Sequence, residues 1–206
     1  MQNTQQQKGF GILELIISLA IGLIILAALI TTFVAQNKAY SVQEQVTEML
    51  QAARAGMEIM GREIMMAGFD PSGNMQTSDS DSEDDDFVGI SLPASNPSSV
   101  IEIHADLNGD EDTADANEHI TYAFSSGRVT RNAGSGAQTL IENVKSFSVT
   151  FWQADGETHA TSDGDIRQVR VVLEVQTSRA DPSFPDNGGR RTRTLTSYFI
   201  PRNLNL

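Results

Sequence analysis

The stretch that decides the fold is Phe10–Ala35, FGILELIISLAIGLIILAALITTFVA, preceded by the polar leader Met1–Gly9. It is a 26-residue apolar run interrupted by one acid, Glu14. Wound as a helix it is about 39 Å long, enough to cross a hydrocarbon core of roughly 30 Å. A secretory signal fits poorly, because its apolar core is typically about 7–15 residues. A plain membrane anchor explains the length but not the acid. A carboxylate at the centre of a membrane helix costs about 2.5–3.5 kcal/mol on insertion scales, so such a group usually has a partner.

The helical pattern continues past Ala35. Val42, Val46, Met49, Leu50, Ala53, Met57, Met60 and Ile64 recur at spacings of three and four, one apolar stripe on a helix. Glu58 and Arg62 stand at i and i+4. No proline interrupts residues 10–67, and Gly68 followed by Pro71 supplies a stop signal. The expectation is one helix of about 58 residues, near 87 Å. Residues 10–35 are its membrane-spanning part, and 36–68 an amphipathic continuation. Gly56 and Gly61 are expected to allow close packing or gentle bending. The methionines, including Met65 and Met66, read as adaptable core filling.

The net charge of −13 is local. Residues 79–86 hold six acids and residues 106–118 six more, with no Lys or Arg in either window. The remainder carries 15 acids against 14 bases. Nucleic acid is therefore not expected as a partner, since phosphate binding relies on basic surface. The absence of cysteine excludes disulfides and thiolate metal sites.

Residues 69–99 form an acidic connecting stretch, expected as a mobile, solvated loop in its Ser, Asp and Gly-rich part. From residue 100 to 206 strand signals dominate. They are Val100–His104, Ile120–Phe124, Arg128–Arg131, Ser146–Trp152, Val169–Val175 and Thr194–Ile200. Ser125-Ser126-Gly127 marks a hairpin turn. The fold class expected is α+β, a long N-terminal helix whose stripe packs on an antiparallel β-sheet head. Strand order is not legible.

The strongest candidate for chemistry is the loop Asp106-Leu-Asn108-Gly-Asp110-Glu-Asp112, with Asp115 and Glu118 beyond it. Oxygen ligands at alternating positions suit a calcium ion if the chain curls to bring them together. The loop departs from the EF-hand pattern: Gly109 is fourth rather than sixth, and Asn117 occupies the twelfth place. A solvated acidic hairpin loop is the alternative. No hydrolase, metalloprotease or phosphate-loop motif is present, and no catalytic residue is assigned. His104, His119 and His159 read as strand or loop surface residues, and Arg190, Arg191 and Arg193 as a charged hairpin end.

Lys8-Gly9-Phe10-Gly11-Ile12-Leu13-Glu14 resembles the processing signal of type IV prepilins and type II secretion pseudopilins. The resemblance implies cleavage after Gly9 by the prepilin peptidase, N-methylation of Phe10, and a Glu fifth in the mature chain, here Glu14. The new Phe10 amine lies one turn from Glu14. Glu14 would pair with that amine in its own chain or in a neighbouring subunit, where the pair would set axial register. Gln51–Arg54 and Arg62–Phe69 resemble the PilW family of minor pilins, with Met66 where that pattern often has an arginine nearby. The ending Phe199–Leu204 also resembles the tails of that family.

This resemblance implies a minor pilin for type IV pilus assembly rather than an enzyme. It would be anchored in the bacterial inner membrane with its head in the periplasm, and later taken into a pilus. Its partners would be major and minor pilins, the prepilin peptidase and the inner-membrane assembly platform. The alternatives are a minor pseudopilin of a type II secretion system and, in another class, a membrane-anchored calcium or ligand-binding module.

Overall fold

The protein is described from a computed structural model covering residues 9, 11–73 and 87–204. The leader up to Lys8, the aromatic Phe10 and the acidic run Asp79–Asp86 lie outside the described residues. Among the described residues, helix α1 (Ile12–Met66) is followed by eight strands in chain order. The described residues up to Glu44 form one compact unit and those from Gln45 onward another.

In the first unit the apolar side chains from Ile12 to Val34 are exposed. The helix contains a segment long and apolar enough to cross a membrane, by length and composition.

In the second unit the later turns of α1 bury one face: Met49, Ala53, Gly56, Met57, Met60, Gly61 and Ile64. That face is most of the apolar stripe the spacing predicts. Val46 and Leu50 pack at its margin. Met66, expected in the core, is instead exposed because it falls off the stripe at the last turn. The helix ends at Met66, two residues before Gly68, which adopts φ +75°. A left-handed residue there turns the chain out of the helix, and its amide bonds the His104 carbonyl at 2.9 Å.

The strands form two antiparallel sheets rather than one. The first has the order β1 (Ile90–Ser91), β2 (Val100–His104), β3 (His119–Ser125), β4 (Arg128–Asn132), β5 (Gln138–Ile141). The second is β6 (Val144–Trp152), β7 (Gln168–Gln176), β8 (Thr192–Phe199). The chain crosses between sheets within the two residues Glu142 and Asn143, the latter at φ +55°. Nothing in the hydrophobic alternation marks that change of sheet. The β3–β4 turn has Ser126 at φ +51° and Gly127 at φ +76°, the two positive angles of a two-residue hairpin. Segment 87–99 contributes β1, whose Ile90 is buried and pairs with Ile103.

One core joins helix and sheets. Val169, Val171, Leu173 and Val175 alternate inward along β7, and Ile101 and Ile103 do the same on β2. Gly56 and Gly61 are packing positions. A Cβ on Gly56 would lie 2.3 Å from Cδ1 of the buried Ile141, and one on Gly61 would lie 2.3 Å from the Phe199 ring. Their lack of a side chain lets one strand of each sheet approach the helix.

Candidate functional site

Two regions carry the residues singled out in the sequence. The first is the start of α1. Gly9 is exposed, and Glu14 lies in the first turn of the helix, where its backbone carbonyl accepts a 2.8 Å bond from the Ser18 hydroxyl. A negative side chain at that end is favoured by the helix dipole.

The second is the loop between β2 and β3. It leaves the sheet at a fixed point, because the Asp106 amide bonds the Phe69 carbonyl at 2.8 Å and the Ala105 amide bonds the Glu118 carbonyl at 2.9 Å. Asp106 is fully buried and its carboxylate accepts the amides of Gly109 (2.6 Å) and Glu111 (3.2 Å). Asn108, Asp110 and Asp112 then each accept the amide two residues on, a run of Asx turns. Gly109, Glu111 and Asn117 take positive φ. These turns wind the segment on itself so that alternate side chains converge.

Glu118 closes the loop. It is 2% exposed. Its Oε1 accepts the amides of Leu107 (2.9 Å) and Asn108 (3.3 Å). Its Oε2 is buried and has no hydrogen-bond partner among the described residues. Asp110, Asp112 and Glu118 each offer a carboxylate oxygen, and those oxygens lie within 4.8 Å of one another. Charges at that spacing repel by at least roughly 1 kcal/mol per pair in water and roughly 3 kcal/mol at an effective dielectric of 20. The loop has no Lys or Arg of its own to offset this. The Asn108 amide donates to both Asp110 (3.0 Å) and Asp115 (2.9 Å), which keeps Asp115 beside the group. Of the six oxygen donors proposed from spacing, three converge and Asp115 flanks them, while Asn108 turns its amide nitrogen to the acids and Asp106 builds the turn.

Beyond the loop, Asn117 accepts a 3.2 Å bond from Arg131, and Arg131 pairs with Glu63 of α1 at 2.8 Å. The Tyr122 hydroxyl also donates to Glu63. Burial first, and the Glu63 carboxylate second, raise the Tyr122 pKa above the ordinary phenol range. The Glu63 hydrogen bonds raise that of Arg131 in turn. Glu63, Glu118 and Arg131 border a cavity of about 260 Å³ floored by Ile103 and Ile120. Sequence spacing did not point to Glu63, which lies 59 residues from Tyr122.

The histidines are less scattered than they look in sequence. His104 and His119 are direct partners across β2 and β3, with rings stacked at 4.4 Å and 19°. Together with Glu102 they bring three ligand atoms within 4.8 Å. Burial and the neighbouring His119 lower the His104 pKa, while Glu102 and Asp163 oppose the shift. At the other end of the head, Arg190 bonds the Thr177 carbonyl at 2.6 Å, and Arg191 lies over the Phe184 ring and 3.8 Å from Asp181. Two of the three arginines read as a charged hairpin end thus brace the 177–191 segment.

No curated protein matches the chain. Residues 4–30 match a family model described as the prokaryotic N-terminal methylation motif. That match covers the leader junction, Glu14 and most of the apolar run. It supports a protein of the type IV pilin and pseudopilin class, and the apolar helix beside it is consistent with anchoring in the inner membrane.

Proposed function

We propose that this chain is a minor pilin, a structural subunit cleaved after Gly9, methylated on Phe10 and assembled with other pilins into a type IV pilus or its priming complex. The observation that carries the reading is the methylation motif over residues 4–30, with Glu14 in the first turn of a helix whose apolar side chains are exposed. The exposed band needs either lipid or the helices of other subunits around it. An acid one turn from a new cationic amine gives those helices a polar contact that is satisfied at one axial offset only.

Minor-pilin rank and likeness to the PilW family rest on residues 51–69 and on the tail Phe199–Leu204. Intact mass of the mature protein tests the reading. The expected chain begins at methylated Phe10, and one that retains Met1–Gly9 overturns it. A deletion strain separates the pilus from the secretion alternative: loss of pili supports a minor pilin, and loss of protein secretion with normal pili supports a pseudopilin.

A further inference from the structure

We infer that the loop from Asp106 to Glu118 binds one calcium ion, with Asp110, Asp112 and Glu118 as its central ligands. The assignment is independent of the filament role.

Two observations lead to it. The first is convergence: three carboxylates offer oxygens within 4.8 Å of one another. Calcium–oxygen bonds of 2.3–2.6 Å put opposite ligands about 4.8 Å apart, so the group already has the dimensions of one coordination sphere. The second is Glu118. A buried carboxylate oxygen without a hydrogen-bond partner is unfavourable unless something positive meets it. Arg131, the cation bordering the adjoining cavity, is engaged by Glu63 and Asn117. An ion held between Glu118 and the two aspartates gives the buried Glu118 carboxylate a positive partner and offsets the repulsion together.

The donor set selects the metal. All three central donors are carboxylate oxygens, and Asp115, held beside Asp110 by the Asn108 amide, brings another carboxylate. Zinc and copper sites draw on imidazole or thiolate, and the nearest imidazoles belong to the separate His104–His119 pair. Magnesium demands near-ideal octahedral geometry at about 2.0–2.1 Å, whereas calcium accepts six to eight oxygens from a winding loop. Asp106 is a positioning residue, since its accepted amide bonds set the curl that brings Asp110 and Asp112 to Glu118.

The test uses the full-length protein in detergent micelles, stripped with chelator and titrated with calcium chloride in a calorimeter and in thermal melts. One saturable site is expected. Saturating calcium should raise the melting temperature by about 5 °C, and magnesium should bind more weakly. Asp110→Asn and Asp112→Asn, both at exposed positions, should each weaken calcium by at least about tenfold, and Glu118→Gln by more. No saturable heat and no melting shift at millimolar calcium overturns the assignment. So does unchanged affinity in both aspartate variants. If Glu118→Gln fails to fold, the two aspartate variants decide. The mass of the mature N-terminus is read separately, so failure here leaves the pilin reading standing.

Discussion

The Glu63 carboxylate and the Arg131 guanidinium meet at 2.8 Å, joining the last turns of α1 to the fourth strand. Both side chains are largely withdrawn from water, at 19% and 25% exposure. Glu63 also holds the Tyr122 hydroxyl, so one carboxylate serves two strands. Removing one partner of a buried pair costs about 3–5 kcal/mol, because the other charge is left behind. With part of this pair exposed, Glu63→Ala should lose about 2–3 kcal/mol of stability in denaturant melts. Arg131→Met in the same background should recover part of the loss. A loss below 0.5 kcal/mol, the level of an ordinary surface change, would show that the pair does not hold helix to sheet.

Gly61 tests the helix–sheet approach. In a free helix Ala is favoured over Gly by about 1 kcal/mol. Here the added methyl meets the Phe199 ring at 2.3 Å. Overpacking of this kind costs about 1–3 kcal/mol, so Gly61→Ala should lower the melting temperature rather than raise it. Gly56→Ala, against Ile141, should behave alike. Stabilisation by either variant would mean that the sheets do not sit this close to the helix.

His104 predicts a dependence on pH. Its folded pKa lies below the ordinary value of 6.5, chiefly through burial and then through His119. The unfolded chain therefore binds the proton more readily, and stability falls as pH drops below about 6.5 towards the folded value. The groups facing the ring are His119, Glu102, Asp163 and Ser91. Melting temperature should decline between pH 7 and roughly pH 5, and His104→Gln should flatten that decline. An equal slope in the variant would place the proton elsewhere.

Glu14 addresses assembly. If it meets a Phe10 amine among packed helices, Glu14→Ala should leave cleavage after Gly9 intact while protein in sheared surface filaments falls sharply on immunoblots. The cost of leaving the amine unpartnered in an apolar bundle is of the same order as the 2.5–3.5 kcal/mol for a lone charge in a membrane. Normal incorporation would rule out the register role.

Most of the fold was legible because it rests on local pattern. The stripe from Met49 to Ile64 has helical period, and β7 alternates with period two through Val169, Val171, Leu173 and Val175. The partition into two sheets was not legible, since it depends on the turn at Glu142–Asn143 and on which strand edges meet afterwards. Strands β1 and β5 escaped notice because two and four residues are too short for alternation to register. In the loop, alternate oxygen donors were visible in sequence. That Asp106 would face the backbone, and Glu118 the other acids, depends on the Asx turns and the positive φ values of three residues. The Glu63–Arg131–Tyr122 group was hidden for another reason: its members lie on a helix and two strands far apart in the chain.

The pairing of His104 with His119, extended by the Ala105–Glu118 backbone bond, closes the β2–β3 ladder before the acidic loop begins. Residues 107–117 are therefore an excursion from a hairpin already shut. With Asp110 and Asp112 kept in place for the ion, the rest of the loop does not set the register of either strand, so the stretch at Thr113–Ala114 is a natural insertion point. An epitope or a fluorophore-binding peptide spliced there would report on the protein in place while the sheet beneath kept its pairing.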